Sequence, residues 1–356
     1  MHGDTFLRRI RRGLQQEIEM PQKRRFYFTI RPLMLLSIVG IVMVNWGLPV
    51  AAAPLRPEVE TFIVEMVEKH AFERESLERL FTTAKFQPAI ITAISRPTSS
   101  RPWHEYRPLF INPKRVAGGI SFWEANAATL GRAQKEFGIP EEIITGLIGV
   151  ETIYGAQTGK HRVLDALTTL AFDYPSRAVF FRSELEQYLL LSRERGADVF
   201  DIKGSYAGAI GIPQFMPSSY RRYAVDFDGD GKVDLSNNPV DAIGSVANYL
   251  KAFGWEADGP IAVRAQISGE GYREALLAGI KPLRTLEELK KLGVTPPVEM
   301  SGERPAALIE LDNNGVTEYW LSFENFYVIT RYNRSVYYAM SVLQLAEEIR
   351  AARNLR

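Results

Sequence analysis

The chain has 356 residues, of which 46% are hydrophobic and 24% are charged, so its composition is that of a globular protein and excludes a disordered or fibrous one. The 43 Lys and Arg nearly balance the 42 Asp and Glu, and this balance argues against a nucleic-acid partner bound through its phosphates. The chain has no cysteine, which excludes thiol nucleophiles, disulfides, thiolate metal sites and the lipid-bearing cysteine of a lipoprotein.

The first 53 residues have the pattern of an export signal. They hold eight Lys or Arg and three acids, and the basic residues precede an apolar run over residues 33–44. Small residues at 51–53 follow, which is the order typical of a secretory signal with an Ala-x-Ala cleavage site. Counted on to residue 53, the run reaches the roughly 20 residues that a spanning helix needs, so an uncleaved membrane anchor stays open. In both cases we expect the body of the chain to be exported to the periplasm, with membrane contact only through this segment.

The following two hundred or so residues carry mostly helical patterns. Apolar residues at helical spacing predict a helix over residues 57–80, and a Pro-, Arg- and Gly-rich stretch predicts a loop over residues 95–119. Ser121 begins a capping-box pattern, which predicts a helix running to Phe137. Further helices are predicted from Pro140 onward and over residues 161–171, 176–195 and 239–253.

After residue 254 the pattern changes from helical spacing to the alternation that is typical of strands. The alternating segments are residues 261–267, 306–311 and 318–323. Asn314 and Gly315 between the last two predict a type I′ hairpin turn, and Thr285 begins a short capped helix. From residue 335 to residue 350 the helical spacing returns.

These patterns predict a mainly α protein of the α+β class, with a strand-rich insert in a helical body. An insert is the simplest topology because helical spacing both precedes and follows the strands. We expect residues 54–257 to form the helical domain and core, residues 258–325 a small β-rich domain, and residues 326–356 a segment and helix that return to the core.

Glu151 is the candidate for proton transfer. The helix that opens at Pro140 places its carboxylate on the same apolar face as Ile144, Leu147 and Ile148. Burial raises the pKa of a carboxyl group, so such an acid can stay protonated near neutral pH and protonate a leaving group. The alternative is an acid at a frayed helix end that points to water.

The segment of residues 204–220, here called the glycine-rich segment, combines glycine and proline with small and aromatic residues. Glycine allows close approach of a ligand to the backbone, and Gln214 offers a hydrogen-bonding amide. The segment therefore predicts a binding loop for an extended ligand. A plain connecting loop would explain the glycines but not the apolar and aromatic residues among them.

Residues 226–241, here called the acidic loop, begin like a calcium-binding loop. Asp226, Asp228 and Asp230, followed by glycine, are the first half of an EF-hand pattern. Position 12 of that pattern would be Asn237 instead of Glu, but Asp241 can close a longer loop. The alternative is a solvated acidic turn. The chain has four His and none adjoins the loop, so we expect one structural ion and no catalytic metal.

Five motifs occur in the order found in the lytic murein transglycosylase B family, glycoside hydrolase family 103, which the chain resembles from about residue 57 to its end. The motifs are residues 151–155, 165–170, 174–177, 204–220 and 241–250. The resemblance implies a lysozyme-like core with a helical domain and a small β domain. It also implies cleavage of the MurNAc–GlcNAc β-1,4 bond in peptidoglycan glycan strands.

The resemblance further implies roles for single residues. Glu151 would protonate the glycosidic oxygen and then accept the proton of the MurNAc C6 hydroxyl, which attacks C1 and leaves a 1,6-anhydro end. Ser205 would orient Glu151, while Gln214 and Arg177 would contact the saccharide. Phe180 stands where the family has a tyrosine, which puts one hydrogen bond of the cleft in doubt.

The remaining implied residues lie late in the chain and in the acidic loop. Tyr332 and Asn333 match a pair near the catalytic centre. The backbone carbonyl of Lys232 would join Asp241 and the three earlier aspartates as a calcium ligand. We expect one structural Ca²⁺, no organic cofactor and a monomer.

Two alternatives to a transglycosylase stay open. A hydrolytic enzyme of the lysozyme type could use Glu151 with water as the nucleophile. An inactive peptidoglycan-binding protein is the other, although Glu151, Ser205 and Gln214 are all present and argue against it.

Overall fold

Helices dominate the computed structural model, which describes residues 54–95 and 101–355. Helices α1 to α7 span Pro57–His70, Arg74–Thr83, Pro88–Ile94, Trp103–Phe110, Pro113–Ala125, Ala127–Phe137 and Glu141–Thr152. Helices α8 to α15 span Val163–Asp173, Ala178–Arg195, Pro217–Tyr223, Pro239–Ala252, Tyr272–Leu277, Leu286–Lys291, Glu324–Tyr332 and Val336–Asn354. The mainly α, α+β class is confirmed. The predicted export signal over residues 1–53 lies outside the described residues.

The strands are short and antiparallel. Strands β1 to β8 span His161–Arg162, Lys203–Gly204, Ala262–Arg264, Gln266–Ile267, Arg284–Thr285, Val294–Thr295, Pro305–Asn313 and Val316–Ser322. Strands β3, β8, β7 and β5 form one sheet in that order, while β1 pairs with β2 and β4 with β6. Six of the eight strands therefore lie between residues 262 and 322.

The prediction of a loop over residues 95–119 is wrong, because α4 and the first half of α5 lie there. The prolines that suggested a loop mark helix starts: Pro102 precedes α4 and Pro113 is the first residue of α5. Proline is favourable at that position since its missing N–H has no partner in a helix anyway. Ser121 is no cap either, because it lies inside α5, whose N-cap is Asn112.

The predicted helix over residues 57–80 is divided in two. Ala71 takes a left-handed conformation, with φ of +53°, and its N–H bonds back to Val67 O, which ends α1 before α2 begins. The helices predicted over 161–171, 176–195 and 239–253 are confirmed as α8, α9 and α11, each within two residues of its predicted bounds.

The predicted hairpin and capped helix are confirmed. Strands β7 and β8 pair from Ala307 with Ser322 to Asn313 with Val316, and the turn residues Asn314 and Gly315 both have positive φ. Thr285 caps α13 through a complete capping box. This region buries a small core of its own, made of Ala275, Leu286, Leu289, Val294, Ala306, Leu308, Leu321 and Phe323.

Helix α7 lies at the centre of the main core. Residues 143–150 are all buried, so the helix is enclosed on every side. Gly146 permits close packing against α15, since a Cβ there would lie 2.8 Å from Val342 O and 3.1 Å from Ala346 N. This packing fixes the C-terminal end of α7, which carries Glu151, against α15. Among the described helices, none combines the length and apolarity needed to cross a membrane.

Candidate active site

Glu151 occupies the last turn of α7, and its carboxyl group is buried although the residue keeps some exposed surface. Burial raises the pKa of this carboxyl to about 7, against the opposing effect of a hydrogen bond that Tyr338 Oη donates to Oε1 at 2.5 Å. The C-terminal end of a helix also carries partial negative charge, which disfavours a carboxylate there. Both protonation states of Glu151 are therefore accessible near neutral pH. A group that first donates a proton and later accepts one needs both states.

Tyrosines from several helices surround this carboxyl group. The ring of Tyr338 stacks on that of Tyr332, with centroids 6.4 Å apart, and Tyr249 meets Tyr332 at 4.8 Å. Burial first, and then the charge of Glu151, raises the pKa of Tyr332 and Tyr338 well above 10. The phenols therefore remain hydrogen-bond donors. Burial, and then the charge of Glu151, also raises the pKa of Tyr106 on α4.

Sequence patterns did not single out Tyr338. It lies 187 residues after Glu151 and meets it only because α15 packs on α7. The helix predicted over residues 335–350 contains it, but nothing in its local pattern distinguishes it from Tyr337 beside it. The nearest signal in the sequence is Tyr332, which the family resemblance places near the catalytic centre and which precedes Tyr338 closely in the chain.

Ser205 is half-buried at the start of the glycine-rich segment. Its Oγ accepts a hydrogen bond from Ala209 N–H at 3.0 Å, and no hydrogen bond joins it to Glu151 among the described residues. Its role in orienting Glu151 stays a prediction, whereas Tyr338 makes the hydrogen bond that the structure shows.

Gln214 adopts a left-handed conformation, with φ of +52°, inside the glycine-rich segment. Its Nε2 donates to Gly211 O at 2.8 Å and to Thr158 O at 3.0 Å, so the amide nitrogen holds the segment in shape. Tyr332 Oη donates to Pro213 O, beside Gln214. The structure thus brings Gln214 and Tyr332 together at one end of the segment.

Asn333 and Arg177 are both exposed. Asn333 directly follows α14, next to Tyr332. Arg177 ends a 3-10 turn between α8 and α9, and its guanidinium lies over the rings of Phe180 and Phe181, at 4.5 and 5.0 Å. Phe180, which stands in place of the expected tyrosine, therefore offers its ring to Arg177. No described contact joins Arg177 to Glu151.

The acidic loop brings three carboxylates together. One ligand oxygen each of Asp226, Asp228 and Asp230 lies within 4.8 Å of the other two. The Asp226 carboxylate accepts hydrogen bonds from the backbone N–H groups of residues 229, 230 and 231. Lys232 N–H donates to Asp230 Oδ1 at 2.8 Å. Several carboxylates around one point are the donors that calcium prefers, so these residues fit the ion.

Asp241 lies outside that cluster and is completely buried. Its two oxygens accept from Phe227 N–H and Asp234 N–H, both at 2.8 Å, so it joins the two sides of the loop. Burial raises the pKa of Asp241, and the charges of Asp228 and Asp226 add to this effect. A bound cation would relieve that repulsion.

Comparisons with known proteins identify the family of the chain. A family model described as a transglycosylase SLT domain matches residues 54–347. Membrane-bound lytic murein transglycosylase B of Escherichia coli (strain K12) is 44% identical over 307 residues, which are 83% of this chain and 84% of that protein.

Solved structures are similar as well. The soluble lytic transglycosylase SltB1 of Pseudomonas aeruginosa is 47% identical with a TM-score of 0.79, covering 84% of this chain and all of that one. The Escherichia coli lytic transglycosylase Slt35 in complex with calcium is 43% identical with a TM-score of 0.75, covering 83% of this chain and 94% of that one.

Proposed function

The chain belongs to the transglycosylase SLT domain family and is a peptidoglycan lytic transglycosylase with a lysozyme-like fold, and from this premise we propose that Glu151 is its catalytic acid and base. One observation carries the proposal: the carboxyl group is buried at the end of α7, with a pKa of about 7 and one oxygen on Tyr338. A group with that pKa can both give and take a proton near neutral pH.

The reaction then needs only this one protein group. Protonated Glu151 gives its proton to the glycosidic oxygen as the bond from that oxygen to C1 of MurNAc breaks. The resulting carboxylate takes the proton of the MurNAc C6 hydroxyl, whose oxygen bonds to C1 and closes the 1,6-anhydro ring. Retaining and inverting glycosidases use a second carboxylate, whereas here the substrate supplies the nucleophile. Residues 210–215, which are mostly buried, would limit access of water to C1.

We propose supporting roles for the other predicted residues. Ser205 would steady Glu151 when substrate is bound, and Gln214, Arg177 and Asn333 would contact the saccharide. Support comes from the position of Gln214 beside the Tyr332 hydrogen bond to Pro213, and from the exposure of Arg177 and Asn333. Tyr332 would line the site next to Tyr338.

We also propose that the acidic loop binds one structural Ca²⁺. Asp226, Asp228, Asp230 and Asp241 with the backbone carbonyl of Lys232 would hold it, and the ion would neutralise charge without entering the reaction. The clustered carboxylates of Asp226, Asp228 and Asp230 support this, as does the calcium complex of the similar Slt35, whereas Asp241 and Lys232 are proposed from the family resemblance. No organic cofactor is needed, since one carboxyl group can serve both proton transfers.

We propose that residues 1–53 export the chain to the periplasm, and that they are either cleaved or kept as an anchor that alone contacts the membrane. We propose three parts for the rest of the chain: a helical core over residues 54–257, a small β domain over 258–325, and a segment over 326–356 that returns to the core. The enzyme would act on glycan strands as a monomer.

Product analysis tests the proposed reaction. Digestion of purified sacculi in ¹⁸O-labelled water should release 1,6-anhydro muropeptides that contain no solvent oxygen and weigh one water less than hydrolysed ones. A hydrolytic muramidase would instead place ¹⁸O at each new reducing end. That result would overturn the C6 hydroxyl as nucleophile, while leaving Glu151 as the acid.

A further inference from the structure

Thr152, which follows Glu151 at the end of α7, is completely buried, and its hydroxyl makes two hydrogen bonds that are shorter than its 3.5 Å contact with Ile148 O in the same helix. The hydroxyl donates to Ile212 O at 2.8 Å and accepts from Gly155 N–H at 3.0 Å. One side chain thus joins the catalytic helix both to the glycine-rich segment and to the turn that follows the helix. Serine and threonine hydroxyls can donate one hydrogen bond while accepting others.

The turn after α7 has an unusual backbone. Ile153 and Tyr154 have φ of +53° and +58°, and Gly155 continues at +89°. Two successive non-glycine residues in the left-handed region, one of them β-branched, are rare. Such a conformation persists only where neighbouring groups hold it. The strain lies within two or three residues of Glu151, so the groups that hold this turn also hold Glu151.

Helix α5 holds the turn from one side. Tyr154 Oη donates to Arg115 O at 2.7 Å, and the Arg115 guanidinium donates to the carbonyls of Gly149 and Val150. A Cβ at Gly149 would lie 2.5 Å from Tyr154 Oη, so the tyrosine ring fills the space beside the helix. The Thr152 hydroxyl adds a contact from the glycine-rich segment to these contacts from α5.

Two further hydrogen bonds hold the glycine-rich segment at the point where Thr152 contacts it. Ile212 N–H donates to Leu235 O of the acidic loop at 2.7 Å, and Pro213 O accepts from Tyr332 Oη. Ile212 is itself buried. Gln214 binds the segment to Thr158, beyond the turn, whereas the Thr152 hydroxyl joins this point of the segment directly to the last residue of α7.

We propose that Thr152 is a positioning residue, whose hydroxyl keeps the glycine-rich segment against the end of α7 and so keeps Glu151 shielded from water and in contact with Tyr338. The inference rests on the proposed role of Glu151. It differs from a purely structural role, because it requires the properties of the Glu151 carboxyl to change when the hydroxyl is removed.

A matched series of variants separates the hydroxyl from the rest of the side chain. Thr152→Val keeps the branched shape and removes the hydroxyl, while Thr152→Ser keeps the hydroxyl and removes the methyl. We expect Thr152→Val to lower kcat on purified glycan strands about tenfold or more, and by a larger factor than it raises KM, because small displacements of a catalytic group are costly. Thr152→Ser should stay within about threefold of the wild type.

The pH profile reports the shielding. With water admitted, the pKa of Glu151 should fall from about 7 towards its ordinary value, and the alkaline limb of kcat should move to lower pH by about one unit. The other titratable groups around Glu151 keep their protons at neutral pH, so the limb reports Glu151 alone. Those groups are the phenols of Tyr106, Tyr249, Tyr332 and Tyr338 and the guanidinium of Arg115.

A second readout does not depend on activity. Carboxyl ¹³C NMR of glutamate-labelled protein, with Glu151→Gln to assign the signal, gives the pKa of Glu151 in each variant. A lower pKa in Thr152→Val and an unchanged one in Thr152→Ser support the inference. A Thr152→Val protein with a lower melting temperature but the kcat, alkaline limb and Glu151 pKa of the wild type would overturn it.

Two safeguards complete the design. If Thr152→Val does not fold, Thr152→Cys replaces it, because a thiol stands at the position of the serine hydroxyl, with a larger atom, but is only a weak donor. Equal kcat and equal Glu151 pKa in the Ser and Cys variants would then overturn the inference. Failure of the proposed function appears elsewhere, as activity retained by Glu151→Gln, and the NMR titration still tests Thr152 in that case.

Discussion

Glu151 has a buried carboxyl group that receives a hydrogen bond from Tyr338, whereas Asp226 is half-exposed and receives three from backbone N–H groups. Burial disfavours the charged form and raises the pKa of Glu151 to about 7. In the acidic loop the Asn238 amide, with further hydrogen bonds, lowers the pKa of Asp228. A carboxyl group can therefore exchange its proton near neutral pH at Glu151, whereas at Asp228 it stays charged.

The comparison shows that the number of carboxylates does not identify the catalytic region. The acidic loop has more acids, but backbone donors stabilise the charge of Asp226, and the carboxylates clustered around it suit a cation. The end of α7 has one acid, and its surroundings are phenols that stay protonated. Changes that remove a carboxylate should therefore act at Glu151 on activity and on the pH dependence of stability, and in the acidic loop on stability that depends on calcium.

The largest effect is expected for Glu151→Gln. An amide cannot supply a proton, so activity on sacculi should fall by at least about a hundredfold, because general acid–base catalysis contributes about 10²–10⁴-fold. The fold and glycan binding should be kept, as circular dichroism and sacculus sedimentation would show. Glu105→Gln, at an exposed position, is the control. More than about a tenth of wild-type activity in Glu151→Gln would refute the assignment.

The same variant should become relatively more stable as pH rises. The pKa of Glu151 is raised from 4.5 to about 7 in the folded state, so its contribution to stability is complete below about pH 4 and is lost as pH rises through about 7. Glutamine loses nothing over this range. Urea unfolding should show the difference between Glu151→Gln and wild type growing by up to about 3 kcal/mol from about pH 4 to about pH 8. A difference that stays constant would mean that Glu151 is not buried as a neutral acid.

Calcium should stabilise the protein without taking part in the chemical step. At a concentration 100 times its Kd, the ion would add about 2.7 kcal/mol to the free energy of unfolding. Thermal melts with EGTA and with added Ca²⁺ measure the effect, and Asp226→Asn should lose most of it. Asp201→Asn, at an exposed acid outside the loop, should retain it. An unchanged midpoint, or loss of activity in folded calcium-free protein, would contradict the structural role.

The features that the sequence predicts well have local patterns. Glu151 lies on an apolar helical face, and the acidic loop repeats aspartate at fixed spacing, so both are visible within a few residues. Tyr338 has no such pattern, because its role arises from the packing of α15 on α7. The composition of residues 95–119 misleads for a different reason, since prolines at helix starts resemble those of loops.

The smallest effect is expected at Tyr338. Its hydrogen bond favours the charged form of Glu151, as the backbone hydrogen bonds of the acidic loop favour the charged form of Asp226. The Tyr338 hydroxyl donates to Glu151 Oε1 and lowers the pKa of that carboxyl, opposing burial. Tyr338→Phe removes this support for the charged form, so the pKa of Glu151 should rise above about 7 and the alkaline limb of kcat/KM should move to higher pH by about one unit. Tyr319 packs against the small core of the β-rich region, far along the chain from α7, so Tyr319→Phe should leave the limb in place. The direction is the opposite of that expected for Thr152→Val, because one change removes a donor to the carboxylate and the other admits water. A limb that moves to lower pH in Tyr338→Phe would mean that the ring, and not the hydroxyl, sets the environment of Glu151 by excluding solvent.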